Sequence, residues 1–421
     1  MFDYRRVCYI RYSLLKKKSK SRSLFICWFL FFLKMIGYLL RSPYVYKKVD
    51  EVLVVIPSSN NKRSIQPILD AMKHKNYSCV ERFYNFLPFG KIYLKSFFLR
   101  GSFNKLYYSS TDEEKEMIRS HFDEFAAAAE IDRAIGEFYE FNPHVKLLIV
   151  SNDHFPIMRS FIEQARAHGI KTLYSQHASV SEHFPPLIFD YSFLDGEESY
   201  LKYNAISKIE GYVFLVGSPR FDVITQLERQ KSDLIGVAVK KKDDYDKILS
   251  LIYTLKENGF HNLVVRPHPQ WDKQNTDWSL FTNEGCEMSH PLQENPFKFI
   301  SRISFLIAGA SSIHLEAALL RIPSAIYSFR TNEANLDYYG YAKMGLTPLA
   351  SNENEIISLI KGYNLPSIDT IRYYDAAFGT EYDGKSATLA AQFIDAFLDG
   401  HESEILASLF EKTSEGYFII K

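Results

Sequence analysis

From residue 145 onward the chain alternates between short apolar runs and stretches of helical periodicity, and this alternation restricts the fold more than any other feature. Residues 145–150 read as a strand, 155–168 as a helix, 172–175 and 189–194 as strands, 197–205 as a helix and 212–216 as a strand. The pattern restarts after Gly217-Ser218-Pro219-Arg220. Strands at 234–239, 262–265, 305–308 and 324–328 are then interleaved with helices at 246–258, 297–303 and 312–320, and further helices follow at 353–361 and 386–398. Strands alternating with helices build parallel βαβ units, so each half predicts a doubly wound α/β domain. A length of 421 residues suits two such domains. The boundary is expected between 217 and 233, giving an N-terminal domain over 43–216 and a C-terminal one over 217–421 whose last helices pack back on the first.

Upstream, 49–57 reads as a buried strand entering a loop, 64–74 as a helix, and 111–141 as one long helix opened by Ser110-Thr111-Asp112. Residues 77–110 are aromatic-rich without clear periodicity and receive no assignment. The first 42 residues stand apart. Arg5, Arg6, Arg11, Lys16, Lys17, Lys18, Lys20 and Arg22 precede an apolar run at 24–33, which Lys34 interrupts. Ten apolar residues are too few to cross a hydrocarbon core of about 30 Å. A secretory signal has the same basic-then-apolar order, but Arg41-Ser42-Pro43 offers no small-residue cleavage site. A disordered leader or a mis-placed start is the plainer account. The preferred reading is an aromatic-rich amphipathic anchor lying in the membrane interface, with the fold beginning after it and surviving its removal.

Formal net charge is zero, so no global field favours nucleic acid. Cys8, Cys27, Cys79 and Cys286 are scattered without ligand spacing, which fits a reducing compartment better than a disulfide framework or a structural zinc. Nucleophile-elbow, Walker, Gly-x-Gly-x-x-Gly and His-Glu-x-x-His patterns are missing from the sequence. Hydrolase, NTPase and dehydrogenase readings lose ground accordingly.

Open α/β sheets bind ligands outside the carboxyl ends of their strands, and several strands here end in polar clusters. Gly309-Ala310-Ser311-Ser312 leads into a helix whose free N–H groups and dipole suit a phosphate, with Glu316 one turn in and able to accept from ribose hydroxyls. Ordinary N-capping by Ser311 or Ser312 is the simpler explanation, but it leaves the serine pair and Glu316 unaccounted for. Arg266-Pro267-His268-Pro269 ends the strand at 262–265. Its two prolines hold His268 in a stiff turn, and Arg266 reads as a bidentate clamp on phosphate or carboxylate. In the first half, Ser151-Asn152-Asp153-His154, Ser175-Gln176-His177-Ala178 and Asp195-Gly196 also follow strands. His177, Asp153 and Asp195 are therefore candidate general bases, with His177 preferred. Asp244-Tyr245-Asp246 is the one Asp-x-Asp, and in its charged run it reads as a helix cap rather than a metal site, so no metal or other cofactor is expected.

Taken in order, Gln176-His177, Asp195-Gly196, Gly217 to Asp222, Arg266 to Pro269 and Ser311-Ser312 with Glu316 resemble GT-B transferases of bacterial surface polysaccharides. The capsule Kdo- and sialic-acid-type transferases and the CDP-glycerol glycerophosphotransferases are nearest in pattern. Leu194 stands where sialyltransferase-type sequences carry an acidic residue, and Gly309-Ala310 where the glycerophosphotransferases carry Asp-Tyr. The Gly217 to Asp222 segment is also similar to that of non-hydrolysing UDP-sugar 2-epimerases. The resemblance implies a GT-B fold, two Rossmann-like domains facing a central cleft, with His268, Ser311 and Ser312 on the donor phosphate. It also implies a metal-independent, inverting glycosyltransferase on the inner face of the cell membrane. Such an enzyme would move a sugar from a CMP-, CDP- or UDP-linked donor to a capsule, lipopolysaccharide or lipid-linked glycan. A glycerophosphotransferase, a UDP-sugar 2-epimerase and a non-catalytic GT-B scaffold are the alternatives.

Overall fold

The computed structural model describes residues 2–9, 22–43, 45–269, 278–330, 335–362 and 364–421. The basic stretch Arg11 to Lys20 lies outside them. Two compact units emerge. The first comprises residues 1–216 together with 387–421, and the second is 217–386.

The sheet of the first unit contains β1 (Val52–Val55), β2 (Tyr77–Val80), β3 (Leu147–Val150), β4 (Lys171–Ser175), β5 (Tyr191–Leu194) and β6 (Tyr212–Leu215). The second unit contributes β7 (Ile235–Val239), β8 (Leu263–Pro267), β9 (Glu287–Met288), β10 (Phe305–Ala308), β11 (Ser324–Tyr327) and β12 (Leu349–Ala350). A terminal hairpin, β13 (Phe410–Lys412) and β14 (Phe418–Ile420), returns to the first sheet. Strand order there is β13-β14-β6-β5-β4-β3-β1-β2, parallel throughout except for the β13–β14 pair. The second sheet runs β12-β11-β10-β7-β8-β9, all parallel.

Parallel strands must be covered on both faces, and their sequences show it. Ile235, Val237 and Val239 pack with Ile248, Leu251 and Ile252 in one core layer. Val264, Leu306 and Ile326 pack with Phe299 and Leu315 in the other. Strand order reverses between β1 and β3 in the first sheet and between β7 and β10 in the second. These two switch points are where a doubly wound sheet opens a crevice at its carboxyl edge.

The expected long helix at 111–141 is two helices, Asp112–Ser120 and Phe122–Phe141, broken at His121. A capping box between Thr111 and Glu114 opens the first of them. The unassigned stretch contains β2 and two helices, Phe89–Phe98 and Gly101–Ser109.

The expectation that the fold begins after residue 42 is corrected. Helix Leu24–Arg41 runs unbroken through Lys34 and buries Cys27, Phe31 and Met35 in the first unit. Phe31 stacks on Tyr93 at 4.6 Å, and Trp28 meets Phe122 edge-on at 4.8 Å. Truncation at residue 42 would strip these rings of their partners, so the helix is core on one side. Its other side carries Phe25 and Leu40, each 81% exposed, with Phe29 and Leu33 also open.

Residues 387–421 belong to the first unit, where Phe393 is buried against Tyr191, Phe193 and Phe214. Gly217 has φ +75, and a Cβ there would sit 2.5–2.6 Å from Ala377, Asp375 and Ser386. Asp222 accepts from the Ser386 N–H at 2.9 Å. The Gly217 to Asp222 motif thus fastens both ends of the second unit to each other.

Candidate functional site

In the first unit the switch point is built by the loops after β1 and β3. Buried Asn61 joins them, donating from Nδ2 to the Ser151 carbonyl at 3.2 Å. Asn152 Oδ1 accepts from the His154 N–H at 2.9 Å and turns the chain. These bonds aim Asp153 inward, where its side chain is wholly buried. Asp153 Oδ1 lies 3.5 Å from His154 Nε2, and Oδ2 lies 3.6 Å from Arg159 Nη1. Arg159 continues to Glu163 at 3.4 Å, and Glu163 pairs with Arg6. Burial pushes the Asp153 carboxyl up to about 7, with Arg159 pulling the other way.

The structure brings His177 to this group through a residue that sequence reasoning left in the background. The rings of His154 and His177 are 5.6 Å apart between centroids, and Phe184 packs edge-on against His154 at 4.2 Å. A carboxyl titrating near neutrality beside one imidazole, which in turn faces a second, can take up and pass on one proton at physiological pH. An Asp-His pair at a strand end was the available signal for His154. Asp195 lies at the neighbouring strand end. Its backbone N–H donates to Gln176 Oε1 at 2.9 Å, and Gln176 Nε2 donates to Ser199 at 2.8 Å. Gln176 thereby fixes the end of its own strand, β4, to the end of β5 and to the helix that follows it.

In the second unit the loops after β7, β8 and β10 meet. Lys240 follows β7, and its ammonium donates across the switch point to the Ala310 carbonyl. The His268 N–H donates to the Val239 carbonyl at 2.9 Å, tying the loop after β8 to β7. Partial desolvation and then Lys240 hold the His268 imidazole below the ordinary histidine range, while its side chain stays exposed. Neighbouring strands lie about 4.8 Å apart, so His268 and the Ser311-Ser312 pair flank Lys240 on adjacent strand ends. Lys240 was hidden in the charged run 240–244, which reads from sequence as solvated.

Ser312 is the N-cap residue of helix Ile313–Leu319 yet makes no side-chain capping bond. Ser311 Oγ accepts from the Ile313 N–H only at 3.5 Å. Beneath them buried His314 bonds the Gly309 carbonyl at 3.1 Å, and burial takes its imidazole down to about 4. Glu316 Oε2 is buried without a hydrogen-bond partner. Burial pushes its carboxyl up to about 7 against the pull of Arg220 and Arg266. Perturbed carboxyls at a sheet's ligand edge mark functional positions more often than ordinary ones.

Arg266 departs from the clamp expected of it. Its side chain is buried, donates to Ser289 Oγ at 2.6 Å and to the Glu294 carbonyl at 2.9 Å, and lies over the Phe299 ring. These bonds make it a brace under the β8 end. Asp244 caps helix Tyr245–Glu257 by accepting from the Asp246 N–H at 3.0 Å.

The fold is of GT-B type. A UDP-N-acetylglucosamine 2-epimerase superposes with a TM-score of 0.51 at 14% identity, over 84% of this chain and 97% of its own. The UDP-GlcNAc 2-epimerase of Methanocaldococcus jannaschii gives 0.51 and 14%, over 83% and 99%. The wall teichoic acid polymerase TagF gives 0.46 and 12%, over 90% and 99%. No protein-family model and no curated relative matches the sequence.

Proposed function

We propose that the chain is a metal-independent, inverting glycosyltransferase. Its donor is a CMP-, CDP- or UDP-activated sugar, and its acceptor is a cell-surface glycan or lipid-linked glycan. One observation carries the reading: each sheet keeps a polar cluster at its own switch point, and the two clusters have complementary chemistry. The first, Asp153, His154 and His177, is a proton acceptor. The second, Lys240, His268 and the Ser311-Ser312 hydroxyls, offers cationic and neutral donors to a leaving phosphate. Glu316 is then the group for ribose hydroxyls.

In this reading the N-terminal base removes the acceptor proton as its oxygen attacks the anomeric carbon, the donor C–O bond breaks, and the nucleoside phosphate departs with the bond electrons. A single displacement inverts the centre. Capping by Asp244 supports the metal-independent form.

A 2-epimerase is the second reading, favoured by the two superpositions above. Thermal shifts with CMP, CDP, UDP and GDP, followed by turnover of the matching sugar donors with and without glycan, separate these possibilities. Product requiring the acceptor is expected. Turnover of a UDP-sugar alone would make the chain an epimerase, and no nucleotide stabilisation would make it a scaffold.

His268→Ala, Lys240→Ala and Ser312→Ala should each weaken nucleotide binding roughly tenfold to a hundredfold, the usual cost of a charge-assisted hydrogen bond. A bound phosphate favours protonated His268, whose pKa is depressed in the free protein. Calorimetry should therefore show wild-type affinity rising as pH falls, and a flatter profile for His268→Ala.

Peripheral attachment to the inner face of the cell membrane belongs to the same proposal. The open side of helix Leu24–Arg41 supports it, as do exposed Phe98 and Leu99 at the end of helix Phe89–Phe98, whose Phe97 packs against Phe32. Co-sedimentation with anionic vesicles is expected, with most of it lost in the double variant Phe25→Ser/Phe29→Ser. Undiminished sedimentation of that variant would place the attachment elsewhere.

A further inference from the structure

A line of four charged side chains runs from the proposed base to the surface of the first unit. Arg159 Nη1 lies 3.6 Å from Asp153 Oδ2, and its other terminal nitrogen, Nη2, lies 3.4 Å from Glu163 Oε1. Glu163 Oε2 in turn accepts from Arg6 Nη2. Each interior member thus turns one end to each neighbour. The side chains of Asp153, Arg159 and Glu163 are 0%, 5% and 7% exposed, whereas that of Arg6 is 56% exposed. Arg159 and Glu163 share one face of helix Pro156–Ala167, at the i, i+4 spacing that lets them meet.

Packing, and not chance, puts Arg6 at the end of this line. Its helical turn, Tyr4–Val7, is capped by Asp3, whose side chain accepts from the Arg5 and Arg6 N–H groups. Tyr4 and Val7 are buried, and the Tyr4 ring stacks on Phe125 of helix Phe122–Phe141. Arg5 donates to Glu114 at 3.1 Å. In the sequence both arginines read with the basic leader, as contacts for lipid headgroups.

Charge decides what the line does. Two buried carboxyls, Asp153 and Glu163, border the single guanidinium of Arg159. A buried carboxylate without a counterion is costly, so without Arg6 the Glu163 carboxylate would draw Arg159 to itself. Ion pairs between two solvated partners are worth little, but here one partner is buried. The other ionisable neighbours are Asp132 beside Glu163, and His154 and Tyr203 beside Asp153. Burial raises the Asp132 carboxyl and a 2.8 Å bond from Gln164 lowers it, while Glu163 adds to the rise and Arg6 opposes it. The same guanidinium therefore steadies a second acid.

We propose that Arg6 is a positioning residue for the base: by holding Glu163, it leaves the Arg159 guanidinium to Asp153. The assignment rests on the transferase reading for what the Asp153 group does, and on the charge line alone for how it is held.

Thermal midpoints of the full chain at pH 5 and pH 8, in each background with and without Asp153→Asn, read the Asp153 charge without any need for turnover. The gain from Asp153→Asn at pH 8 should be larger in Arg6→Gln than in wild type, because a carboxylate deprived of Arg159 costs more to bury. It should be smaller in Glu163→Gln, where Arg159 is released to Asp153, and near wild type in Arg6→Lys. In Arg6→Gln/Glu163→Gln it should match Glu163→Gln alone, since Arg6 then has nothing to hold. The acidic limb of the turnover profile should follow, moving about 0.5–1 pH unit up in Arg6→Gln and as far down in Glu163→Gln. That is a part of the roughly 1–3 units a directly paired charge supplies. A purely structural contact would move both variants the same way. An unchanged gain in Arg6→Gln, or shifts of one sign in both single variants, would overturn the assignment. Opposite shifts in the midpoints without acceptor-dependent turnover would keep the charge line and remove the transferase reading. Turnover with unmoved midpoints would do the reverse.

Discussion

His177→Ala and His154→Ala are each expected to lower turnover by about 10²–10⁴-fold while nucleotide affinity stays nearly constant. The size follows from what a positioned base contributes, and the selectivity from where the residues stand. Both imidazoles belong to the first unit, in a group that includes a wholly buried carboxyl. The proposed phosphate groups, Lys240, His268 and Ser312, belong to the second. A loss confined to kcat and kcat/KM together is the mark of an interaction made in the transition state only. If His154→Ala is crippled and His177→Ala is near wild type, His154 is the base and His177 orients it or the acceptor. Comparable loss of nucleotide affinity in both variants would contradict the division of labour between the two switch points.

The second large effect is on stability. Asp153 ionises in water near 3.8 but only at about 7 in the folded protein. Between those values the native state binds more protons than the unfolded state, so stability falls as pH rises through the window. A displacement of this size corresponds to a cost on the order of 4 kcal/mol above neutrality. Asp153→Asn cannot ionise and escapes that cost. The variant should lie only modestly above the wild-type midpoint at pH 5 and several degrees above it at pH 8, while turning over far more slowly for want of the carboxylate beside His154. A buried charge that weakens the fold and serves the chemistry is the usual trade at active sites. Equal midpoints at both pH values would mean that Asp153 is ionised at no net cost, with Arg159 as its full counterion.

The alternating half of the chain was legible because parallel strands buried on both faces leave unmistakable apolar runs, and β3 to β8, β10 and β11 appear where those runs stand. The stretch 77–110 was not, because helix Phe89–Phe98 is covered by helix Leu24–Arg41 on one side and keeps Phe98 exposed on another, so no single stripe emerges. Strand-end polar clusters pointed to both switch points. Two participants escaped for opposite reasons: Lys240 was submerged in a run of like residues, and His154 stood beside a more conspicuous aspartate. Arg266 shows the converse error, since a cation at a strand end reads as a ligand group until its buried acceptors, Ser289 and Glu294, are seen. Helix Leu24–Arg41 reads as separate from sequence because composition records its exposed side as strongly as its buried one.

The return of residues 387–421 to the first unit sets an order of events on the ribosome. The second unit is continuous in sequence and can close as soon as it has emerged. The first cannot, because β6 lacks its neighbour β14 and Tyr191, Phe193 and Phe214 lack the cover of Phe393. At about 5–20 residues per second, roughly ten to forty seconds of translation separate β6 from the segment that completes it. Throughout that interval a parallel sheet edge with an aromatic face is open to water and to other nascent chains. A sheet edge left unpaired is a template for association. The half of the molecule made first is therefore the half that matures last, and it is the one for which a holding chaperone would matter.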